Sequence, residues 1–418
     1  MEDAIITKIE GHGRLRTDWR KNEVVLEVTE SERLFEGIVV GRPAAEAPWI
    51  TARICGVCPT AHNICAFKAI EDALGVKPDE TTVLLRKLHL DAQMIQSHAL
   101  HLYFLSFPDY LGIDSGLELK DSHPKHFKAA LTLKEVSDEI AFIVGGRSTH
   151  PTTTTIGSYL KYPAQGELKK LAKKLDRALK AGIETAHLAS NLKYPKLKSP
   201  LLSLSQINEE GTYNIYESPK VKPSGAPSWV SEDYRKEIGE ALRDFSTAKF
   251  GFYRGRPAMV GALPRIAIQG KLLFPKAKKL LLQSKIDLMN PFNNNLAQAI
   301  EIVHFTEEAI EMVKALSENV TIKKDKSFTQ IPELKSPQTG VGALEAPRGG
   351  LYHEYTVDAK GIITEANIIT PTVQNLGALE RASKDLVAQT KNLKKERREK
   401  LLEMLVRAFD PCITCSVH

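Results

Sequence analysis

Four of the five cysteines in this 418-residue chain form two Cys-x-x-Cys pairs, one near each end. The pairs are Cys55/Cys58 and Cys412/Cys415, and each places two thiols where both can bind one soft or borderline transition metal. Together the pairs could supply four sulfur ligands to a single centre. The fifth cysteine, Cys65, lies on the helix predicted after Cys58, and we expect it to be a small buried apolar residue.

The spacing of the cysteines leaves the identity of the metal open. Structural zinc sites often use four cysteines, but their pairs usually lie within tens of residues of each other. Here most of the chain separates them. A thioredoxin-like redox motif needs a surrounding βαβ pattern, which the sequence lacks. An iron–sulfur cluster with four cysteine ligands is chemically possible.

Composition and charge exclude several other classes of protein. The apolar fraction of 42% and the charged fraction of 26% are ordinary for a globular protein. The net charge of +6 is small, and the densest basic run, 391–400, contains acids and no aromatic residue, which predicts a solvated helix face rather than a nucleic-acid site. No signal peptide, membrane span or disulfide framework is visible. We therefore expect a cytoplasmic protein.

Several helices are predicted around these cysteines. Apolar spacing predicts a helix over 59–74 that ends at Gly75, and a long buried helix over 79–106. Further helices are predicted at 133–145, 166–190, 230–250, 275–289, 295–317 and 376–408.

Strand patterns are confined to the two ends of the chain. They cover residues 1–50 and 350–370, and loops are predicted at 192–228 and 319–338. The expected fold is α+β and predominantly helical, a central bundle of long helices with small peripheral sheets near both termini. We expect one domain over 1–418, with a helical body over about 59–320 and a metal-binding tail within 376–418.

The residues flanking the cysteines carry a specific family resemblance. RICGVC at 53–58 with His62, and DPCITC at 410–415 with His418, resemble the two signature motifs of the nickel–iron hydrogenase large, catalytic subunit. Those motifs read R-x-C-G-x-C-x3-H and D-P-C-x-x-C-x-x-H. Within the family, the chain looks most like the cytoplasmic, multimeric group related to archaeal sulfhydrogenases.

Other segments resemble the family's internal motifs, so the resemblance extends over nearly the whole chain. They are KIEGHG at 8–13, HLYFLSFPD at 101–109, EAPRG at 345–349 and ITPT at 369–372.

The resemblance implies a nickel and an iron joined by two cysteine sulfurs, with two cyanides and one carbon monoxide on the iron. Cys55 and Cys412 would be terminal nickel ligands, whereas Cys58 and Cys415 would bridge nickel to iron. Four thiolates would offset the charge of two divalent metals.

The resemblance also implies a second ion, magnesium or iron, near the C-terminus. Its ligands would be Glu36, the backbone carbonyl of Ile368 and His418, an oxygen-rich set that suits magnesium. The sequence around Glu36 reads LFEG and departs from the commoner family pattern. Members of the family are made with an extension that a maturation endopeptidase removes after the histidine, so the ending at His418 indicates the processed form.

The implied activity is reversible cleavage of dihydrogen, in which one hydrogen leaves as a proton. The sulfur of Cys412 is the implied base, and Glu10 would relay the proton onward. Arg348 would position dihydrogen and bond a cyanide rather than act as the base, because arginine is essentially always protonated.

Five further residues are implied around these groups. Asp109 and Asp410 would hold the guanidinium of Arg348, and Pro347 would set its approach. Thr372 would hydrogen-bond the other cyanide. His62 would hydrogen-bond Cys58 and so tune the metals.

The chain has nowhere to send the two electrons that dihydrogen releases. With four cysteines assigned and no Gly-x-Gly-x-x-Gly motif, we expect no iron–sulfur cluster or flavin in this chain. An iron–sulfur small subunit is therefore implied, with further iron–sulfur or flavin subunits that pass electrons to NAD(P), ferredoxin, a deazaflavin or a similar acceptor.

Two alternatives to this interpretation remain. One is a non-catalytic subunit of a redox complex that holds zinc or an iron–sulfur cluster with the same four cysteines. The other is a subunit related to complex I, which keeps the fold but loses those cysteines.

Overall fold

The structure is a computed structural model that describes residues 2–318 and 334–418. Helices dominate these residues. They are α1 (Phe35–Val39), α2 (Ala47–Thr51), α3 (Pro59–Leu74), α4 (Glu80–Leu100), α5 (Phe107–Leu111), α6 (Leu119–Ser122), α7 (Pro124–Gly145), α8 (Gln165–Asn191), α9 (Tyr234–Glu237), α10 (Ala262–Gln269), α11 (Pro275–Gln283), α12 (Asn294–Glu318), α13 (Pro371–Gln389), α14 (Lys395–Ala408) and α15 (Ile413–Ser416). None of them is long and apolar enough to cross a membrane.

The strands form small sheets around the helices. They are β1 (Glu2–Ile5), β2 (Gly13–Asp18), β3 (Glu23–Val28), β4 (Thr154–Thr155), β5 (Ser158–Tyr159), β6 (Leu202–Ile207), β7 (Lys220–Pro223), β8 (Trp229–Val230), β9 (Ile238–Arg243), β10 (Ser246–Tyr253), β11 (Ala258–Met259), β12 (Gln338–Ala346), β13 (Gly349–Val357) and β14 (Ile363–Ile369). Two three-stranded antiparallel sheets, β1-β2-β3 and β12-β13-β14, lie near the two ends of the chain. This architecture confirms the predicted α+β, predominantly helical class.

The long helices α4, α7, α8 and α12 form the central bundle. α4 packs on α7 and α12, and α8 packs on both of those helices. α4 is buried on nearly every side, which explains why its apolar residues are not confined to one stripe. Its last turn continues through a wider π-type turn over His101–Ser106 into α5, so the long buried segment predicted at 79–106 is confirmed.

Strand β12 lies directly on the backbone of helix α3. A β-carbon placed on Gly342 would come within 2.1 Å of the carbonyl oxygen of Cys65, and one on Gly340 within 2.2 Å of that of Ala69. Only glycine permits so close an approach. The contact fixes the end of β12, next to Arg348, relative to the start of α3, next to Cys58.

Several expectations at the N-terminal end and in the middle of the chain are wrong. Strands in the first 50 residues stop at Val28, and the alanine-rich stretch after them forms short helices because alanine favours a helix. The helix predicted at 230–250 is the hairpin β9–β10, since the alternating burial of Ala248 and Phe250 suits a strand. The predicted loop at 192–228 contains β6 and β7, so the body over 59–320 is not purely helical.

At the C-terminal end, the helix predicted at 376–408 is two helices, α13 and α14, which are interrupted between Gln389 and Lys395. α13 begins earlier than predicted, at Pro371, because proline suits the first turn of a helix. Of the predicted loop at 319–338, residues 319–333 lie outside the described part of the chain.

The close contact between β12 and α3 predicts that Gly342→Ala will be strongly destabilising. The added methyl would overlap the carbonyl of Cys65, so we expect a loss of about 1–3 kcal/mol or more. The loss of stability is measured as a lower midpoint temperature of thermal unfolding. Gly239→Ala is the matched control, because this strand glycine has no atom near its virtual β-carbon. Equal midpoints for the two variants would contradict the prediction.

Candidate metal centre

The four cysteines of the two pairs meet in one buried cluster. Their sulfur atoms all lie within 4.8 Å of one another, with 3.4 Å from Cys55 to Cys412, 3.4 Å from Cys58 to Cys415 and 3.0 Å from Cys412 to Cys415. Each is at most 5% exposed. Cys58 precedes α3, whereas Cys412 and Cys415 lie at the start of α15 and within it. The two ends of the chain therefore build one site.

Backbone pairing and a half-buried arginine hold the two ends together. Glu10 and Cys412 form a parallel bridge in which the N–H of Ile413 donates to the carbonyl of Glu10 at 2.9 Å. The guanidinium of Arg33 donates to the carbonyls of Ile54, at 2.6 Å, and of Thr414. One side chain thus joins the segments that carry the two cysteine pairs.

The donor set fits a pair of soft or borderline metal ions. Four buried sulfurs this close together would repel one another as thiolates unless cations lay among them. The sulfur of Cys55 accepts backbone N–H groups of Val57 at 3.2 Å and of Cys58 at 3.0 Å, bonds that favour a thiolate. Burial raises the pKa of the Cys412 thiol, but the hydrogen bonds with Cys415 and Cys58 together lower it, to about 7.

A carboxyl group lies beside one sulfur of the cluster. Oε2 of Glu10 is 3.0 Å from the sulfur of Cys412 and accepts the N–H of Thr414 at 3.1 Å. The hydroxyl of Thr414 donates to the other carboxyl oxygen. Burial, and then the nearby charge of Cys412, raise the pKa of Glu10 to about 8. Glu10 is therefore placed to take a proton from this sulfur.

A buried arginine lies on another side of the cluster. β12 and β13 are joined by only two residues, Pro347 and Arg348, and the side chain of Arg348 points inward. Its Nε donates to the carbonyl of Asp410 at 2.7 Å, and its Nη2 donates to the Asp410 carboxylate at 2.8 Å. The charges of the cysteines stabilise the guanidinium. The expected partnership of Arg348 with Asp410 is thus present.

Asp109 does not hold Arg348, so that expectation is wrong. Its carboxylate accepts from Arg407 at 2.7 Å and lies 3.5 Å from Lys8. The reason is that α5 packs where α14 ends, which brings Arg407 rather than the hairpin tip to Asp109. The remaining polar contact of the Arg348 guanidinium is with the hydroxyl of Ser97 at 3.4 Å, and the amide of Gln298 donates to Asp410 at 3.0 Å.

His62 lies beside Cys415 rather than beside the sulfur of Cys58. Its Nε2 is 3.9 Å from the sulfur of Cys415, and its Nδ1 is 3.1 Å from Nε2 of His353. One helical turn after Cys58, the imidazole faces the C-terminal segment that packs against α3. The expected contact with a cysteine sulfur is present, but the cysteine is the other one of the expected bridging pair.

Thr372 bonds the backbone of Cys412, and Pro347 is held at the hairpin tip beside Arg348. The hydroxyl oxygen of Thr372 accepts the N–H of Cys412 at 3.1 Å. The carbonyl of Pro347 accepts from Arg265 at 3.0 Å.

The three residues expected to bind a second ion also meet. Oε1 of Glu36 accepts the N–H of Ile368 at 2.8 Å, and Nε2 of His418 lies 2.7 Å from the carbonyl oxygen of Ile368. Lys249 lies 3.5 Å from the other oxygen of Glu36. A carboxylate, a carbonyl and an imidazole therefore converge at the C-terminus.

The residues that hold the hairpin tip are not among those expected from the sequence. Arg265 donates to the carbonyls of Ala346 and Pro347 at 3.1 and 3.0 Å. It also pairs with Glu345 at 2.9 Å and with Glu301 at 2.6 and 2.8 Å, all three fully buried. Glu345, the glutamate of EAPRG, could have indicated a buried cation nearby, because a buried carboxylate needs a positively charged partner.

Comparison with known proteins identifies the family. The family model described as nickel-dependent hydrogenase matches residues 33–139 and 138–418. The chain belongs to this family. This confirms the resemblance and the enzyme class that the cysteine motifs indicate.

Individual relatives are similar over almost their whole length. The alpha subunit of sulfhydrogenase 1 from Pyrococcus furiosus is 38% identical, over 99% of this chain and 96% of the relative. The alpha subunit of sulfhydrogenase 2 from the same organism is 32% identical over 99% and 97%. A crystal structure of an NAD+-reducing [NiFe]-hydrogenase in the H2-reduced state has a TM-score of 0.87 at 24% identity over 100% of both chains, which establishes the fold.

The contacts of Arg265 predict that Arg265→Lys will slow turnover without removing metal. A lysine cannot bind two carboxylates and two carbonyls at once, so the hairpin tip and Arg348 would move. We expect kcat for dihydrogen oxidation to fall about 10- to 100-fold, with unchanged nickel content.

Arg86→Lys is the control for that experiment, because Arg86 forms a comparable buried pair with Glu71 at 2.5 and 2.7 Å. Its kcat at a temperature where both variants are folded should stay near that of the unaltered protein. Equal losses of kcat in the two variants would contradict a specific effect on Arg348.

Proposed function

We propose that this chain is the catalytic subunit of a nickel–iron hydrogenase that cleaves dihydrogen reversibly. The observation that carries the proposal is the buried cysteine quartet, with Glu10 on the sulfur of Cys412 and Arg348 close by. A structural zinc site would need the four sulfurs but neither of the other two groups.

In this proposal Cys55, Cys58, Cys412 and Cys415 would hold a nickel–iron centre with cyanide and carbon monoxide ligands, Cys55 and Cys412 through nickel alone and Cys58 and Cys415 through both metals. When bound, this centre polarises dihydrogen and accepts its two electrons. The sulfur of Cys412 accepts the proton, and the carboxyl of Glu10 takes it onward over the 3.0 Å that separates them. The bonds from Thr414 keep the carboxyl aimed at the sulfur.

Arg348 orients dihydrogen and donates to one cyanide, with Pro347 setting the direction of its side chain. Asp410 supports this role, since two bonds from the guanidinium to its carbonyl and carboxylate leave little freedom of rotation. The hydroxyl of Thr372 would donate its hydrogen to the other cyanide, since its oxygen already accepts the N–H of Cys412.

Glu36, the carbonyl of Ile368 and His418 bind magnesium, or iron, near the C-terminus. The convergence of the three groups supports this site. An ion there would tie α1, β14 and the last residue together, and so hold Cys415 in place.

Electrons leave to a small subunit with iron–sulfur clusters. Further iron–sulfur or flavin subunits pass them to NAD(P), ferredoxin or a similar acceptor. The exposed residues Arg53 and Gly56 flank buried Cys55, and the exposed apolar side chains Leu34 and Trp49 lie on segments near them, which supports a protein partner on this face. The complex is cytoplasmic, and a maturation endopeptidase is a partner before cleavage. The chain is one domain, as the hydrophobic cluster from Ile6 to Val417 supports.

The infrared spectrum of the purified complex tests the proposed centre. We expect one carbon monoxide and two cyanide bands in the triple-bond region, where protein absorbs almost nothing, together with stoichiometric nickel. Cys415→Ser, which removes one bridging sulfur, should abolish both the bands and the nickel. A blank spectrum with bound zinc would overturn the proposal.

The proton relay predicts that Glu10→Gln will block turnover at an assembled centre. An amide cannot accept and pass on the proton, so kcat for dihydrogen oxidation should fall about 100-fold or more. Nickel content and infrared bands should persist. Glu380→Gln is the control, since this half-buried carboxyl also accepts a backbone N–H, from Leu26, but lies away from the cysteines. Wild-type kcat in Glu10→Gln would exclude the relay.

A further inference from the structure

A row of buried hydrogen-bonding groups leads away from the sulfur of Cys415. Nε2 of His62 lies 3.9 Å from that sulfur, and Nδ1 of His62 lies 3.1 Å from Nε2 of His353. Nδ1 of His353 lies 2.7 Å from the hydroxyl of Tyr355. His62, His353 and Tyr355 are each at most 1% exposed.

Two elements already tied to the site carry this row. His62 is on α3, one turn after Cys58, and His353 and Tyr355 lie on one face of β13, because strand residues two apart point the same way. β13 packs on α3, and its other end begins at the tip that carries Arg348. The same hairpin therefore reaches the cysteine cluster on two sides.

The protons of the row have two self-consistent arrangements. A neutral imidazole carries one donor and one acceptor nitrogen, and rings as deeply buried as His62 and His353 favour the neutral form because burial penalises a charge. In one arrangement every donor points toward Cys415, starting from the hydroxyl of Tyr355. In the other every donor points away from Cys415, and that hydroxyl bonds to Thr51 instead.

A metal-bound cysteine selects between these arrangements. A thiolate that ligates metal has no proton, so it can only accept a hydrogen bond. Its partner must then be the N–H form of Nε2 in His62. Nδ1 of His62 becomes an acceptor, His353 must donate to it, and Tyr355 must donate to His353.

We propose that His353 and Tyr355 are positioning residues of the metal centre, which hold His62 in the tautomer that donates Nε2–H to the sulfur of Cys415. The inference rests on the function proposed above, because it requires Cys415 to be a metal ligand. An N–H directed at the sulfur draws electron density from it, an effect that is strong in so dry a site. Tyr355 thereby tunes the iron across two imidazole rings.

Removing the hydroxyl of Tyr355 tests the proposal. In Tyr355→Phe nothing donates to Nδ1 of His353, so the chain of bonds that directs Nε2–H of His62 at the sulfur loses its terminal donor and the hydrogen bond to the sulfur weakens. The sulfur would then give more electron density to the metals. In the purified complex we expect the carbon monoxide band to move to lower wavenumber and the midpoint potential of the centre to fall, with unchanged nickel content.

A double-variant cycle separates this role from a merely structural one. His62→Phe should move the band in the same direction, and His62→Phe combined with Tyr355→Phe should move it no further, because Tyr355 acts through His62. Tyr103→Phe is the control, since it removes an equally buried hydroxyl that bonds Thr185 at 2.8 Å. It should leave the band in place. An unmoved band in Tyr355→Phe, or additive shifts in the double variant, would overturn the proposal.

His353→Gln provides a second, independent variant. A glutamine amide can donate to Nδ1 of His62 without help from Tyr355, so its band should stay at the wild-type position, also in combination with Tyr355→Phe. A shifted band in His353→Gln would overturn the proposal, and this variant decides the matter if Tyr355→Phe fails to load nickel. A wild-type complex without any carbon monoxide band would instead refute the proposed function itself.

Discussion

The structure depends on the joining of the two ends of the chain around four sulfur atoms. The cysteine pairs come from opposite ends of the sequence, so nothing local holds them together. The bridge between Glu10 and Cys412 and the two carbonyl bonds of Arg33 supply that connection. Because Glu10 is itself part of the bridge, the contact that closes the site also brings a carboxyl group to the sulfur of Cys412.

The buried arginines around the cysteines are each paired with buried carboxylates, first beside the cluster and then behind the hairpin tip. Arg348 is paired with Asp410, and Arg265, behind the hairpin tip, is paired with Glu301 and Glu345. Breaking such a pair leaves an isolated charge in a dry interior, which is far more costly than the pair itself. Each guanidinium is therefore confined to one position, and so is the hairpin that carries Arg348 toward the metals.

The family could be predicted from the motifs around the cysteines, and the predominantly helical fold from helical periodicity, because both are local signals in the sequence. The helices at 59–74 and 79–106 were predicted closely, since proline and glycine mark the ends of the first and apolar residues line the second. The hairpin at 238–253 was predicted as a helix. Its strands are stabilised by pairing with each other, which short-range patterns do not reveal.

By itself the sequence determined which residue types were present for metal binding and proton transfer, and the order in which they occur. Tertiary structure alone decided which of them meet. It placed Asp109 against Arg407 and His62 against Cys415. It also placed Arg265, His353 and Tyr355 around the site, although no sequence motif had marked them. The physical reason is that a buried polar side chain must bond to whatever packing brings near it, and packing joins residues hundreds of positions apart.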